Sequence, residues 1–319
     1  MNAAKMNFTG MNLQTPLTEQ GPLVVFGCVL QTSAIVLTVI LNSLGLVVLC
    51  RTTSIQDTTK TFLLSLTTSD LCSGVFNAVP NLLTRICQRW VLGDFLCSFY
   101  KVVSPTLYST NILSLLILTV DRFLAIVHSL RYPSIMTSFR SKVITVFSWT
   151  LPFTIYFILF GLWFQSAVSS DGVCEYGAVT VYRYGTICAI TIPLGIIVIL
   201  YVYILQVARH QARRIAAQNR IDNPLERQNV QQRMNTKSAT TVLIITGALC
   251  LSWVPQLIMH LLKSRGVSIS NGLDIIAYSV FISNSWLNVI IYYRRNRDLR
   301  QTLNSLISLC RCQDLPVSE

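Results

Sequence analysis

Long apolar runs separated by short polar stretches recur along the chain. Seven of them, at about 22–50, 61–84, 102–120, 143–164, 184–207, 238–262 and 275–293, reach the roughly 20 residues of helix that a bilayer core of about 30 Å requires. Asp70 is the only full charge inside any of them. A soluble protein with seven buried helices would need polar helices to cover them, and none are left over. The pattern predicts an all-α membrane protein, a seven-transmembrane helix bundle. It divides the chain into a tail over 1–21, a bundle over 22–293 and a final segment over 294–319.

Composition agrees with this pattern and gives it a direction. The 319 residues are 52% hydrophobic and 12% charged, where soluble domains carry about 25% charged residues. Of the 25 Lys and Arg, 18 fall at one side of the spans and 7 at the other. Basic residues near span ends stay cytoplasmic, so the N-terminus is expected outside and the C-terminus inside. The net charge of +12 is mostly this asymmetry. It is read as facing anionic inner-leaflet lipid or an acidic protein, with no nucleic acid as partner. The first 21 residues are polar and the run after them is too long for a signal h-region, so no cleavable signal peptide is expected. "NFT" makes Asn7 a glycosylation sequon in the segment predicted to be outside.

Between spans five and six, 208–236 is polar and basic, with Ala208, Ala212, Ile215 and Ala216 at helical spacing. It reads as an extension of helix five, a turn near Asn223–Pro224 and the start of helix six. For 219–232 a solvated linker fits equally well. Pro80, Pro105, Pro152, Pro193 and Pro255 lie inside spans, where each removes a backbone hydrogen bond and kinks a helix. Kinked helices suit a protein that changes shape.

The cysteines sort by side. Cys28, Cys50, Cys72, Cys188 and Cys250 lie in spans as packing residues. Cys97 and Cys174 are both predicted outside, where a disulfide between them is reasonable and Cys87 competes. Cys310 and Cys312 follow an amphipathic, Arg-rich stretch after span seven, a context for palmitoylation or for two idle thiols.

Polar groups within the membrane mark functional sites by default. Asp70 leads, with Asn42, Asn111, Trp253, Asn284, Ser285 and Asn288 at middle depth on other spans. They could line one wet pocket able to hold a small cation, or simply bond helix to helix. Asp121 and Arg122 sit where span three leaves the membrane. There an acid can hold an arginine until protonation or displacement frees it, and Leu130 offers an apolar contact to a partner in the next loop. An ordinary border ion pair explains the dipeptide alone.

The wider context carries more. "DRFLAIVHSLRYP", beginning at Asp121, resembles the segment after helix three of rhodopsin-like (class A) G-protein-coupled receptors. Asn42, "LSLTTSD" through Asp70, "WVLGDFLC" ending at Cys97, Trp149, the Pro193–Tyr201 pair, "SWVP" at 252–255 and "NVIIY" at 288–292 are similar to that family's motifs in order and spacing. The resemblance covers about 22–310 and implies a receptor that binds an extracellular ligand in the bundle and activates a heterotrimeric G protein. It implies a plasma-membrane location, a short amphipathic eighth helix and a Cys97–Cys174 disulfide. It assigns the switch and coupling surface to Asp121, Arg122, Leu130, Tyr201, Trp253, Pro255, Asn288 and Tyr292. It also implies a sodium site at Asp70, Asn111, Asn284, Ser285 and Asn288, the ion acting as allosteric modulator rather than cofactor. Lys101, Ser104, Tyr176, Gln256, His260 and Tyr278 become ligand contacts.

The departures matter as much. Phe123 replaces a tyrosine, Ser129 a loop proline, Asn111 the usual serine, and Val289 the helix-seven proline, which removes a kink. Leu249 stands where a phenylalanine often packs, beside Ile112 and Pro193. Ile282 replaces the retinal-binding lysine of opsins, and Ser104 the helix-three aspartate of bioamine receptors, so neither chemistry is expected. "LRYPSIMTSFR" and "RHQARRIAAQ" resemble loops of the melanocortin, adenosine and lysolipid branch. Arg85, Lys101, Arg183, His260 and Lys263, with Glu175 as nearby acid, ring the outer mouth. Such a ring favours an anionic small molecule, lipid or peptide, unless these are snorkelling border residues.

Two other classes fit the sequence less well. A transporter predicts charges or paired broken helices along a path, and no internal repeat supports that architecture. His128, His210 and His260 are too scattered for a metal site or triad, so the chain is not expected to be an enzyme. A decoupled seven-helix receptor is the remaining alternative, because of Val289.

Overall fold

The computed structural model describes residues 21–128, 130–162, 172, 174, 180–218 and 252–313. Among them there is helix and no strand. The first span, α1, is Pro22–Arg51, opened by a proline in its first turn, where the missing N–H breaks no helical bond. The second starts as α2, Asp57–Ser73, passes through a π-helical turn at Gly74–Ala78 and continues as α3, Val79–Cys87. Proline clashes with the carbonyl four residues before it, and that turn widens the helix where Pro80 requires it. Spans three and four are α4, Gly93–Val127, and α6, Ser138–Leu162, joined by the one-turn α5, Tyr132–Ile135. The fifth is α7, Thr180–Gln218. Residues 252–264 form α8, the outer end of the predicted sixth span. The seventh is α9, Asn271–Arg295, followed by α10, Arg297–Gln313.

Six of these elements are long and apolar enough to cross a membrane. Most of them outrun the apolar runs at one end or both, because helices continue through polar residues beyond the lipid. α7 includes the predicted extension past 208, and α10 occupies the eighth-helix position. Pro105, Pro152 and Pro193 lie inside α4, α6 and α7. The bundle is apolar outside: Phe139, Val143, Phe147, Phe153 and Phe157 of α6 are all exposed. Inside, polar groups tie helix to helix, as expected where lipid gives no hydrophobic reward for association. Trp149 Nε1 donates to Ser65 Oγ at 3.0 Å, and Ser65 meets Ser114 at 3.2 Å, so one serine joins α2, α4 and α6.

α1 and α9 approach each other most closely at glycine. A Cβ on Gly27 would lie 2.7 Å from Ile275 Cγ2, and Ile275 is β-branched and fully buried. Overpacking of this kind costs about 1–3 kcal/mol. Gly27→Ala is therefore expected to lower the melting temperature of the solubilised receptor, whereas Gly161→Ala, with open space around it, should not. Equal melting of the two variants would show that α1 can simply shift aside.

Val289 has a structural consequence. α9 runs unbroken from Asn271 to Arg295, where a proline at 289 would have no N–H to give the Ser285 carbonyl.

Candidate functional site: the inner switch and the outer pocket

The inner end is built around a carboxylate. Asp121, in the last turns of α4, is fully buried. Its Oδ1 accepts from the Tyr132 hydroxyl at 2.5 Å and its Oδ2 from Thr59 Oγ1 at 3.2 Å, while Arg122 Nη2 lies 3.6 Å from it. Arg122 donates to Thr59 Oγ1 at 2.9 Å, and Thr58 pairs with Tyr132 at 3.1 Å. Asp121 is thus held more by neutral donors from α2 and α5 than by its neighbouring arginine. Burial, and then the bond to Asp121, push the Tyr132 phenol above its ordinary range, so it remains a donor. The expected Asp121–Arg122 contact is present, and Thr59 and Tyr132 are the members that motif reading missed.

α5 is braced from the other side, where Arg140 Nη1 donates to the Ser134 and Ile135 carbonyls at 3.0 and 2.9 Å. This holds the loop so that Leu130 stands out, 97% exposed. Phe123 packs on Tyr203 of α7, ring centroids 5.6 Å apart, where the family's tyrosine would bring a hydroxyl. Tyr201 is half-buried against the core. Tyr292 lines a small space with Gly45, Leu63, Thr67, Val289, Tyr293 and Leu299.

At middle depth the structure brings the predicted polar residues together. Asp70 accepts from Asn111 Nδ2 on one oxygen and from Asn288 Nδ2, at 3.3 Å, on the other. Asn42 Nδ2 donates to Ser285 O at 3.3 Å and to Thr38 O at 2.9 Å. Asn284, Ser285 and Asn288 are all buried. The arrangement is interhelical hydrogen bonding among α1, α2, α4 and α9. Trp253, on α8 two residues before Pro255, packs edge-on against Phe281 at 4.8 Å.

Above Trp253 lies an aromatic layer. Phe281 meets Tyr108 at 5.1 Å and Tyr278 at 5.9 Å. Ser104 Oγ donates to Asn77 Oδ1 at 2.9 Å and Tyr100 to the same oxygen at 3.2 Å, while Asn77 Nδ2 is buried without a partner. Asn77 sits in the π-helical turn, which sequence reading did not anticipate. Gln256 Nε2 lies 3.2 Å from His260 Nε2. Lys101 is buried on α4. The expected cation ring is not a free ring: Arg85 and Lys263 converge on Asp274, a residue missed in the sequence.

The outer end is closed by the Cys97–Cys174 disulfide, and Cys87 is a free, exposed thiol. Around the disulfide, Trp90 is buried with Cys97, its Nε1 donates to Gly93 O at 2.8 Å, and Trp90 N bonds Gly172 O at 2.8 Å. Asn7, Tyr176, Glu175 and Leu249 lie outside the described residues. Cys310 and Cys312 fall in the final turns of α10. No cluster of three or more His, Cys, Asp or Glu suited to a metal occurs among the described residues.

A buried acid beside a half-exposed arginine lies at one end of the bundle, and a disulfide next to an aromatic layer at the other. Comparison with known proteins shows the family. The family profile "7 transmembrane receptor (rhodopsin family)" matches residues 41–292, and the chain belongs to this family of G-protein-coupled receptors, which are not enzymes. It is 27% identical to the histamine H2 receptor of Rattus norvegicus, over 86% of this chain and 79% of that one. It is 28% identical to the 5-hydroxytryptamine receptor 6 of Mus musculus, over 87% and 69%. It is 26% identical to the octopamine receptor beta-2R of Chilo suppressalis, over 87% and 78%. These names differ from the branch that the loop wording resembles, and no subtype is assigned.

Proposed function

We infer that this multi-pass receptor lies in the plasma membrane with its N-terminus outside and takes its ligand in the pocket above Trp253. Ligand binding favours one of two packings of the bundle. α8 then pivots at Pro255, and the inner face accepts a heterotrimeric G protein at Arg122, Leu130 and the start of the 208–218 extension. The observation that carries this reading is the Asp121 network. It holds Arg122 at the bundle's inner edge by few bonds, next to a loop that presents Leu130 to a partner. Palmitoyl groups on Cys310 and Cys312 would pin α10 to the inner leaflet, and glycosylation of Asn7 fits the outside tail.

The ligand contacts are Lys101, Ser104, Tyr176, Gln256, His260 and Tyr278, with Asn77 added. The relatives are named for histamine, 5-hydroxytryptamine and octopamine, yet here the helix-three position holds Ser104, bonded to Asn77. A primary amine would find no carboxylate at that point. None of these three amines is therefore expected to cause G-protein dissociation in cells expressing this chain. The test adds a panel of lipids, purines, carboxylic acids and peptides across the main Gα classes. An amine response would overturn the ligand reading, and a panel response lost in Arg122→Ala would support the receptor reading.

Each Asp70 oxygen receives one amide N–H, and a carboxylate has about four lone-pair sites, so Asp70 with Asn111, Asn284, Ser285 and Asn288 would hold a sodium ion as an allosteric modulator; no step is routed through it.

A further inference from the structure

The outer end of the bundle holds an ion cluster that no motif marks. Asp274, in the first turn of α9, accepts from Arg85 at the end of α3 and, at 2.6 Å, from Lys263 Nζ at the end of α8. The three side chains come from three helices. The acid is the inner member, 4% exposed, and the cations are the outer ones, 21% and 46% exposed. One carboxylate between two cations leaves an excess positive charge, and what faces the mouth is donors alone.

Beneath the cluster lies the aromatic layer. Arg85 is within electrostatic reach of Tyr100 and Tyr278, and Tyr278, Tyr108, Phe281 and Trp253 continue inward in ring contact. This end of the bundle is therefore cationic at its exposed edge and aromatic further in.

Two cations at a pocket mouth would ordinarily repel each other and lose rotamer freedom on binding. Here Asp274 holds both in place beforehand, so less ordering cost remains when a ligand arrives. A guanidinium has five N–H donors and an ammonium three, so each keeps donors beyond those given to Asp274. An incoming anion would gain charge-assisted hydrogen bonds to both. A cationic ligand would meet two like charges here, and Asp274, the acid of the cluster among the described residues, is 4% exposed behind them.

The geometry points to an anion subsite formed by Arg85 and Lys263, positioned by Asp274, for the carboxylate or phosphate of an amphiphilic ligand arriving at this end of the bundle. This rests on the reading that the ligand occupies the outer half of the bundle.

The test uses the full chain in nanodiscs of zwitterionic phospholipid, melted with dodecanoate, monododecyl phosphate or dodecanol. One or both anions should raise the melting temperature to a plateau, while dodecanol does not. The anion that acts identifies the head group as carboxylate, phosphate or either. Arg85→Gln and Lys263→Gln should each weaken the half-saturation point by roughly tenfold or more, and Lys263→Arg should largely keep it. Lys263 is half-exposed, so its substitutions leave the fold intact. An equal effect of dodecanol, undiminished binding in both Gln variants, or no stabilisation by either anion would overturn the assignment. The readout needs no G protein, so its failure is separate from failure of the receptor reading.

Discussion

Cells expressing Arg122→Ala should show no G-protein dissociation, basal or ligand-driven, while the receptor reaches the surface at nearly its normal level. The two halves of this expectation have separate causes. Asp121 is fully buried, and a buried charge stripped of its partners usually unfolds its surroundings. Here it keeps the Tyr132 hydroxyl at 2.5 Å and Thr59 at 3.2 Å when the arginine is gone. The lost ion pair is long, at 3.6 Å, with the arginine side chain about half exposed, and pairs of that kind contribute roughly 0–1 kcal/mol. Folding should survive. Coupling should not, because Arg122 is the cation this end presents beside the docking loop. Wild-type signalling in Arg122→Ala would show that the G protein engages elsewhere. Silence of the wild type at every Gα class, despite surface expression, would instead favour the decoupled receptor, for which Val289 and the unbroken α9 are the structural grounds.

Cys97→Ser should reduce surface receptor to near background, and Cys174→Ser should do the same. The disulfide joins residues 77 apart, and closing a loop of that length removes chain entropy equivalent to about 4–5 kcal/mol in the unfolded state. That figure is an upper bound for a chain whose unfolded form is already threaded through a bilayer. The bond also anchors Cys174 beside Trp90 and the start of α4, so its loss loosens the roof of the pocket as well. The double variant should be no worse than either single one, since both remove the same bond. Cys87→Ser should express normally, because that thiol is free and exposed. Equal loss in all three variants would mean that the pairing exchanges during folding.

The spans were legible because their signal is one of length and oiliness, and the lipid enforces both. Their ends were not: α4 begins at Gly93 and not near 102, since a helix continues through polar residues once the membrane no longer selects them. The inner switch was readable in part. Asp121 and Arg122 were singled out; Tyr132 lies in the same quoted stretch but carried no signal of its own, and Thr59 reaches them only through the packing of α2 on α4. Asn77 depends on a π-helical turn that rotates its side chain toward Ser104, and no periodic pattern encodes that rotation. Arg85 stands far from Lys263 and Asp274 in the sequence. The two cations read equally as members of an outer ring or as snorkelling border charges, Asp274 was not singled out, and only their convergence shows the cluster.

The close approach of α1 to α9 also decides which parts can move. Ile275 fills the space that a side chain on Gly27 would need, and Leu23 does the same over Gly272. Ser279 Oγ reaches Gly27 O at 3.3 Å, and Asn42 reaches Ser285 O at 3.3 Å. Four such engagements along one seam resist sliding of these two helices past each other. On the proposed reading they are the stator of the machine, and the α1–α9 seam is the frame against which a stroke of the helix carrying Pro255 would be measured.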